Sequence, residues 1–546
     1  MDKDDASPIA ALYLVVFDQK VGYTTSWKCM LPDVSLDGVE YKCLPSGLHS
    51  VKQDLVYFVH GAYAGVSAFV QAESDEQHRN ASFVAVGALV PLSFGRLGKA
   101  WLYAAELRQL AKDVVGSDED KRGLELYWKG NRQDEAAQKE PASPSMVRRT
   151  SIPPEVSRKR KRARSDASDA FPSGHAIPSD HPALSVPDLL DTFGPLVLPL
   201  YRAALLRRRI LVIGTPPVQR SCNFVYMLSI LSSIPQSLTD VVQPESDASL
   251  RTQALFNVGI HDIPFLSEQK RKARWLACTT DDILGEKHQL YDVLVSLPPP
   301  TEPHRQRRWP TIRTSDGTDI KATQRDLRRY RFLRAELDRL RSSQHRYRDN
   351  SANNPGDEED TAQLLHAPTI DLLHEVKRSE NGASQVVEPV SWSAMAYNSF
   401  MWWASAGEMD AWESEEAKGD RQLLEDLPEM EALLPRISGN HSDDDPAQDD
   451  TREASATATI VTAYFHRLTT QIIQPLADAV EDADDDTEEG LAEAAVSISS
   501  DDMNAMGLDA WSLADKAFAK DAMDLYFGRE AVVADGGTRV CGVRIC

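Results

Sequence analysis

The order of apolar segments predicts a small α+β domain, then an α/β domain, then a helical C-terminal region. Three observations lead to this fold class. Five strand-like runs precede one amphipathic helix before residue 116, helix and buried-strand patterns alternate between 186 and 298, and the region after 386 is helical in pattern. A chain of 546 residues is too long for one hydrophobic core, so we expect two to four folded units.

The N-terminal domain is predicted to cover residues 1–130. Its strands are short runs rich in valine, leucine and aromatic residues, and Gly61 and Gly65 mark a hairpin-like joint between two of them. A helix is predicted over 97–115, where Trp101, Leu107, Leu110 and other apolar residues keep helical spacing. The predicted strands are 9–18, 23–30, 54–61, 64–73 and 81–92.

Residues 131–185 are predicted to be a disordered linker, because prolines and serines replace the apolar periodicity there. The linker contains a basic run that is either a nuclear-import signal, a contact for anionic lipid or a solubilising segment. This run consists of Arg158, Lys159, Arg160, Lys161, Arg162 and Arg164. Ser151 follows two arginines and is a candidate phosphorylation site, with an unmodified serine as the alternative.

Residues 186–348 are predicted to form a doubly wound α/β domain with a basic helix. A helix pattern over 186–209 leads into the apolar strand ILVIG at 210–214, and a second helix covers 221–234. Strands are predicted at 274–281 and 290–298, and residues 349–385 are expected to be a loop. The basic helix, 323–341, has one apolar face, and arginines occupy its other faces. That apolar face is Leu327, Tyr330, Leu333, Leu337 and Leu340.

The C-terminal region, 386–546, is predicted to be helical with acidic disordered insertions. Between 441 and 510 there are 18 acidic and 2 basic residues, whereas 301–348 holds 14 basic and 6 acidic ones. Opposite charges predict solvent-exposed, salt-sensitive contacts between the basic helix and the acidic segment, which would act as a weak brake on partner binding. The alternative is that 441–510 is only a solvated spacer.

The overall charge and the cysteines exclude several classes of protein. A net charge of −23 argues against a protein that coats nucleic acid. No signal peptide is expected at the start, and the apolar segment 193–206 is too short to span a bilayer. The six cysteines have no metal-binding spacing and are expected to be reduced thiols.

None of the short motifs predicts a catalytic, cofactor or metal site. The strand-to-helix turn at 210–220 lacks the glycines of a phosphate-binding loop, and Pro216 and Pro217 remove two backbone donors, so a structural turn is favoured. His175, Asp180 and His181 are interpreted as a solvated loop rather than as metal ligands. His60 and His261 are expected to be structural. The chain is therefore not predicted to be a metabolic enzyme, and no cofactor is expected.

Several segments, taken in order, resemble the DENN-module proteins, specifically the LCHN-like branch with its fungal relatives. The resemblance covers about 9–130 and 185–300, and it rests on the number and order of segments. The segments are VVFDQKVGYTTSWKC (15–29), LPSGLH (44–49), DLVYFVHGAYAGVSAF (54–69), GALVPLSFGRLGKAW (87–101), ILVIGTPP (210–217), LFNVGIHDIPFL (255–266) and WLACTTDDILGEKHQLYDVLV (275–295). The end of the chain, 525–546, resembles the tail domain of the fungal members.

The resemblance implies a longin-like (uDENN) N-terminal lobe, a Rossmann-like central (cDENN) lobe and a helical C-terminal lobe. It also implies binding to a Rab-type small GTPase and exchange of its nucleotide without a catalytic side chain, in the cytoplasm and peripherally on endomembranes. Two alternatives stay open. One is a non-catalytic DENN/longin scaffold that docks a GTPase or trafficking complex. The other is a nuclear or nucleic-acid-associated protein, against which the overall acidity argues.

Overall fold

A computed structural model of the chain shows two compact units, residues Met1–Ser165 and Asp166–Cys546. We call them the first and the second unit and describe each by itself. The described residues are 8–18, 22–44, 46–47, 50–71, 83–116, 121–132, 177–242, 252–268, 274–299, 308–353, 385–389, 416–425, 446–485, 495–534, 538–540 and 543–545.

The first unit contains five antiparallel strands that pair in the order β3-β4-β5-β1-β2. All five lie where the sequence predicts strands, because each is a run of apolar and aromatic residues ended by turn residues. The strands are β1 (Ala11–Asp18), β2 (Gly22–Met30), β3 (Gln53–His60), β4 (Tyr63–Gln71) and β5 (Phe83–Pro91).

Two aromatic rings in this sheet lie over glycines of the neighbouring strand. Phe58 is directly opposite Gly65, and Tyr13 is directly opposite Gly87. A Cβ placed on Gly65 would lie 2.2 Å from Cζ of Phe58. Both rings are fully buried, and each occupies the space that a side chain on the opposite glycine would need.

Three helices complete the first unit, and α2 packs against β4 and β5. The sequence predicts a helix from residue 97, but α2 begins seven residues later. Leu97, Gly98 and Lys99 have positive φ angles, which a right-handed helix excludes, so short turns with a kink precede α2. The helices are α1 (Val39–Cys43), α2 (Ala104–Gly116) and α3 (Arg122–Asn131).

The second unit contains a mixed five-stranded sheet in the order β10-β9-β6-β8-β7, of which only β10 runs antiparallel. Together the two units confirm a mixed α/β protein. Strands β7 and β10 were not predicted from the sequence. The strands are β6 (Ile210–Ile213), β7 (Gln253–Asn257), β8 (Trp275–Thr279), β9 (Val293–Ser296) and β10 (Thr311–Thr314).

The helix predicted over 186–209 is two helices, broken at Gly194-Pro195. Gly194 has a φ of 54°, and the Trp309 ring packs so closely that a Cβ there would lie 2.4 Å from it. In the basic helix α9, the predicted apolar face is buried. The helices up to this point are α4 (Val186–Phe193), α5 (Val197–Leu205), α6 (Val218–Leu231), α7 (Ile263–Glu268), α8 (Asp282–Gly285) and α9 (Gln324–Asn353).

One stretch of the second unit, Pro182–Leu205, is long and apolar enough to cross a membrane by length and composition. Most of it is buried inside the unit, and core helices of ordinary folded proteins meet the same criteria. It also carries Arg202, which forms an ion pair with Asp326. Within the part of the chain that the structure describes, this is weak evidence for a membrane span.

The C-terminal region is mainly helical. Helix α9 continues five residues into the segment predicted as a loop, and 354–384 lie outside the described residues. Residues 416–422 are helical. Helix α10 lies within the acidic segment 441–510 and buries Ile460, Val461, Tyr464 and Phe465, so this segment is not only a solvated spacer. The elements are α10 (Pro446–Asp485), α11 (Ser500–Ala505), α12 (Leu513–Phe527), β11 (Val496–Ile498), β12 (Ala531–Val533), β13 (Thr538–Val540) and β14 (Val543–Ile545).

The glycine beneath Phe58 gives a testable prediction. Gly65→Ala should lower the free energy of unfolding by about 1–3 kcal/mol, because the methyl group has no room below the ring. Gly130→Ala is the matched control: nothing lies within 4 Å of a Cβ there, and its φ is not positive. The control should be neutral or stabilise by up to about 1 kcal/mol. Denaturant unfolding measures both, and equal stabilities for the two variants would contradict the packing described.

Candidate functional site

The carboxyl ends of four strands meet at one edge of the second unit's sheet. Strand β6 lies between β8 and β9, and β7 lies beside β8, all parallel. The chain passes β8 on its way from β6 to β7, and it passes β6 in the opposite direction on its way from β8 to β9. In open α/β sheets, binding sites form outside such carboxyl ends. A binding site is therefore expected at this edge of the sheet.

Three large apolar side chains are exposed at this edge. Ile260 and Phe265 follow β7, and Ile283 follows β8; each is between 44% and 51% exposed. The segments that follow β7 and β8 lie close to each other, as shown by Gly259, where an added Cβ would be 3.5 Å from Oδ2 of Asp281. Grouped exposed apolar residues with a polar rim mark protein contact sites. We call Ile260, Phe265 and Ile283 the edge surface.

Local hydrogen bonds hold the edge surface in place. The Gly259 N–H donates to Oδ2 of Asp262 at 3.0 Å, and the Asp262 N–H donates to the Gly259 carbonyl at 3.0 Å. These bonds close the short 3-10 turn that carries Ile260. In the next connection, the Asp281 N–H donates to Oγ1 of Thr279 at 3.1 Å, just before the helix that carries Ile283. The apolar side chains are thus presented by fixed turns.

In the described part of these two connections, three carboxylates and one lysine are exposed. They are Glu268, Asp282, Glu286 and Lys287. Lys270, Arg271 and Lys272 belong to the same connection as Glu268 and lie outside the described residues.

The strand-to-helix turn at 210–220 belongs to the same edge, but neighbouring residues of the chain pack closely against it. The Gly214 N–H donates to the Thr279 carbonyl at 3.0 Å. A Cβ on Gly214 would lie 2.6 Å from Oγ of Ser221 in α6, so the turn packs tightly on that helix. Pro216 and Pro217 offer no N–H to a phosphate. These contacts fit the structural turn favoured by the sequence.

The basic run Arg158–Arg164 and Ser151 lie outside the described residues, and so does His175. His60 Nε2 lies 3.1 Å from the Ser35 carbonyl oxygen, and His261 is exposed. Among the residues that the structure describes, no group of three or more His, Cys, Asp or Glu side chains could hold a metal ion.

The interpretation of His181 as part of a solvated loop is wrong. Its side chain is buried, and its Nδ1 accepts a hydrogen bond from the Ala183 N–H at 3.1 Å. The Tyr226 ring packs edge-on against the imidazole. Burial lowers the pKa of His181 from 6.5 to about 3, because the charged form would lose its hydration. Its role is to start the 3-10 turn Pro182–Ser185.

Sequence comparisons identify two regions of the chain. The family model for DENN domain-containing protein 11 matches residues 12–307, and a model for a domain of unknown function, DUF4484, matches residues 387–546. The first match includes the edge surface. Residues 308–386, which contain helix α9, lie between the two matches.

Individual relatives extend the comparison. DENN domain-containing protein 11 of Danio rerio is 28% identical over 318 residues, which is 58% of this chain and 58% of that protein. The rat protein of the same name is 29% identical over 300 residues, or 53% of this chain and 57% of its own length. The chain thus spans a little over half the length of these relatives. The uncharacterized protein ANR2 of Saccharomyces cerevisiae is 24% identical and covers 96% of this chain and 93% of its own length.

The buried histidine gives a pH-dependent prediction. The pKa of His181 is lower in the folded than in the unfolded protein, so its contribution to stability is present above pH 6.5 and is lost as the pH falls towards 3. Between pH 7 and 5 this loss amounts to about 2 kcal/mol. His181→Asn retains an acceptor for the Ala183 N–H and should lose about 2 kcal/mol less than the wild type over that range.

His261→Asn, at an exposed histidine, is the matched control and should follow the wild-type pH profile. Denaturant unfolding at pH 7, 6 and 5 measures the three proteins. A His181→Asn profile parallel to that of the wild type would contradict a buried, neutral imidazole.

Proposed function

Because this chain belongs to the DENN domain-containing protein 11 family, we propose that it is a guanine nucleotide exchange factor for a Rab-type small GTPase in membrane trafficking. The family match over residues 12–307, just over half of the chain, is the observation that carries this proposal. The resemblance of the same segments to DENN modules supports the same function. In this proposal the partner is a protein, and the chain needs no cofactor of its own.

The finer assignment is also part of the proposal. The first unit, a five-stranded antiparallel sheet with α2 packed on it, would be the longin-like uDENN lobe. The mainly parallel sheet of the second unit would be the Rossmann-like cDENN lobe, and the helices after it the C-terminal lobe. The near full-length similarity to the fungal ANR2 protein supports placement in the LCHN-like branch with fungal members.

The proposed exchange needs no proton transfer or nucleophile from this chain. A surface that binds the nucleotide-free GTPase more tightly than the GDP-bound form lowers the affinity of the GTPase for its nucleotide by the same factor. Each factor of ten in this preference corresponds to about 1.4 kcal/mol of coupling free energy. The protein would therefore be a regulator of an enzyme rather than an enzyme with catalytic side chains.

We assign the GTPase contact in the second unit to the edge surface. Its exposed isoleucines and phenylalanine supply apolar area, and fixed turns present them with little entropy to lose on binding. The protein would work in the cytoplasm and peripherally on endomembranes. Entry into the nucleus through Arg158–Arg164 is the alternative location.

The direct test loads purified Rab-type GTPases with GDP, with GTP or with no nucleotide, and measures binding to the full chain and release of labelled GDP. Preferential binding of one GTPase in its empty form, with accelerated GDP release, is the expected result. Equal binding of all three forms without release would instead support the non-catalytic scaffold. Failure of every GTPase to bind, together with salt-sensitive binding to nucleic acid, would support the nuclear alternative.

The edge surface is tested with the GTPase found in that experiment. Ile283→Asp should weaken its binding at least about tenfold, because it places a charge at the centre of an apolar contact. Val532→Asp is the matched control, since Val532 is 54% exposed and Ile283 is 51% exposed. Both variants should keep the wild-type melting temperature. Unchanged affinity of Ile283→Asp would remove the edge surface from the interface.

A further inference from the structure

Three of the buried arginines of the second unit lie on α5 and α9, outside the domain of unknown function. Arg202 on α5 is 8% exposed, and Arg325 and Arg329 on α9 are 6% and 2% exposed. A guanidinium stays charged at every physiological pH, so its burial requires compensating polar groups. The buried Arg207 donates to the Ala204 and Ser232 carbonyls and to Oγ1 of Thr252, whereas Arg202, Arg325 and Arg329 meet carboxylates. The identity of those carboxylates decides which parts of the chain must fold together.

The two arginines of α9 share one carboxylate from the domain of unknown function. Oδ1 and Oδ2 of Asp420 accept hydrogen bonds from Arg325 at 2.7 Å each, and Oδ1 also accepts from Nε of Arg329 at 3.0 Å. Asp420 is itself buried, and these arginines lower its pKa although burial opposes that shift. Glu416 adds a second carboxylate 3.7 Å from Nε of Arg325 and pairs with the neighbouring Arg328.

Arg202 is compensated from both sides. Asp326 at the start of α9 binds it through two hydrogen bonds of 2.6 Å, and the buried Asp515 of α12 lies 3.3 Å away. Three buried arginines therefore face three buried aspartates. Two of these three, Asp420 and Asp515, belong to residues 387–546. Without that segment, Arg325 and Arg329 would lose the hydrogen bonds that they donate to Asp420.

Buried hydrogen bonds also join α5 and α6 to the domain of unknown function. Tyr201 and Thr469 are joined at 2.6 Å through their hydroxyl groups, and the Tyr526 hydroxyl donates to the Leu205 carbonyl at 2.6 Å. His466 Nε2 lies 3.1 Å from the Ile230 carbonyl oxygen. Each of these polar groups would be left buried without its partner if the regions came apart.

We propose that the domain of unknown function is not an appended domain with a fold of its own, but the obligate partner of the arginine-bearing surface formed by α5 and α9. It supplies the carboxylates that allow Arg202, Arg325 and Arg329 to be buried. The α/β part of the second unit and residues 387–546 therefore fold and unfold as one body. This role is independent of the proposed GTPase activity, because it does not involve the edge surface.

The test uses the full chain and compares two aspartates that each pair with arginine. Asp420→Asn removes the buried charge with little change in shape. Asp521→Asn is the matched control, because Asp521 pairs with Arg208 at 2.6 Å with both side chains about half exposed. Hydrogen exchange followed by mass spectrometry reports on peptides from β6 and α6 and, separately, on peptides from α10 and α12.

Asp420→Asn should speed exchange at least about tenfold in both sets of peptides together, and Asp521→Asn should leave both unchanged. Faster exchange confined to α10 and α12, with β6 and α6 still protected, would overturn the proposal. So would wild-type exchange throughout. If Asp420→Asn does not yield folded protein, Glu416→Gln, which weakens the same arginine contact, is measured in the same way and judged by the same outcomes.

Discussion

The ion pair between Arg202 and Asp326 is the interaction around which the second unit is arranged. Nη1 and Nη2 of Arg202 each donate a hydrogen bond of 2.6 Å to the buried Asp326 carboxylate. Asp326 also caps α9, because its Oδ2 accepts from the Thr323 N–H while its own N–H donates to Oγ1 of Thr323. One carboxylate therefore fixes the start of a 30-residue helix and its contact with α5.

This arrangement explains the character of the helix α9. Its apolar side packs in the core, and three of its arginines, Arg325, Arg328 and Arg329, meet acidic side chains of residues 416–420. Asp515 approaches Arg202 behind Asp326, and burial raises the pKa of the Asp515 carboxyl in spite of the nearby guanidinium. The cluster therefore sets three buried guanidinium groups against three buried aspartates, and loss of Asp420 would remove a hydrogen-bond acceptor from two of those guanidinium groups at once.

The sequence predicts the local elements well and the long-range contacts poorly. Apolar periodicity identified the buried face of α9, including Leu327 and Leu333. Charge predicted that α9 would meet the acidic segment 441–510 in solvent-exposed contacts. Arg325 and Arg329 instead form buried pairs with Asp420, which lies outside that segment. No periodic signal indicates that Arg325 meets an aspartate 95 residues away. Strand β10 was missed because Ile312 is the one apolar residue of its four, so the sequence shows no apolar run there.

For the candidate site too, the sequence predicted the local segment but not the surface that long-range packing produces. The segment IHDIPFL was recognised for its resemblance to a family, but not as a surface. Whether Phe265 is exposed depends on the neighbours that the sheet topology provides. His181 was misjudged for a related reason, since a composition rich in proline and serine indicates a linker and gives no sign that its last residues pack into a core.

The most direct test of a second unit built around buried arginine–carboxylate pairs is native-state hydrogen exchange of the wild-type chain at increasing denaturant. Amides of β6, α6, α10 and α12 should lose protection along one common curve, with the same midpoint and slope. A separate curve for α10 and α12, reaching exchange at lower denaturant while β6 and α6 remain protected, would contradict this account.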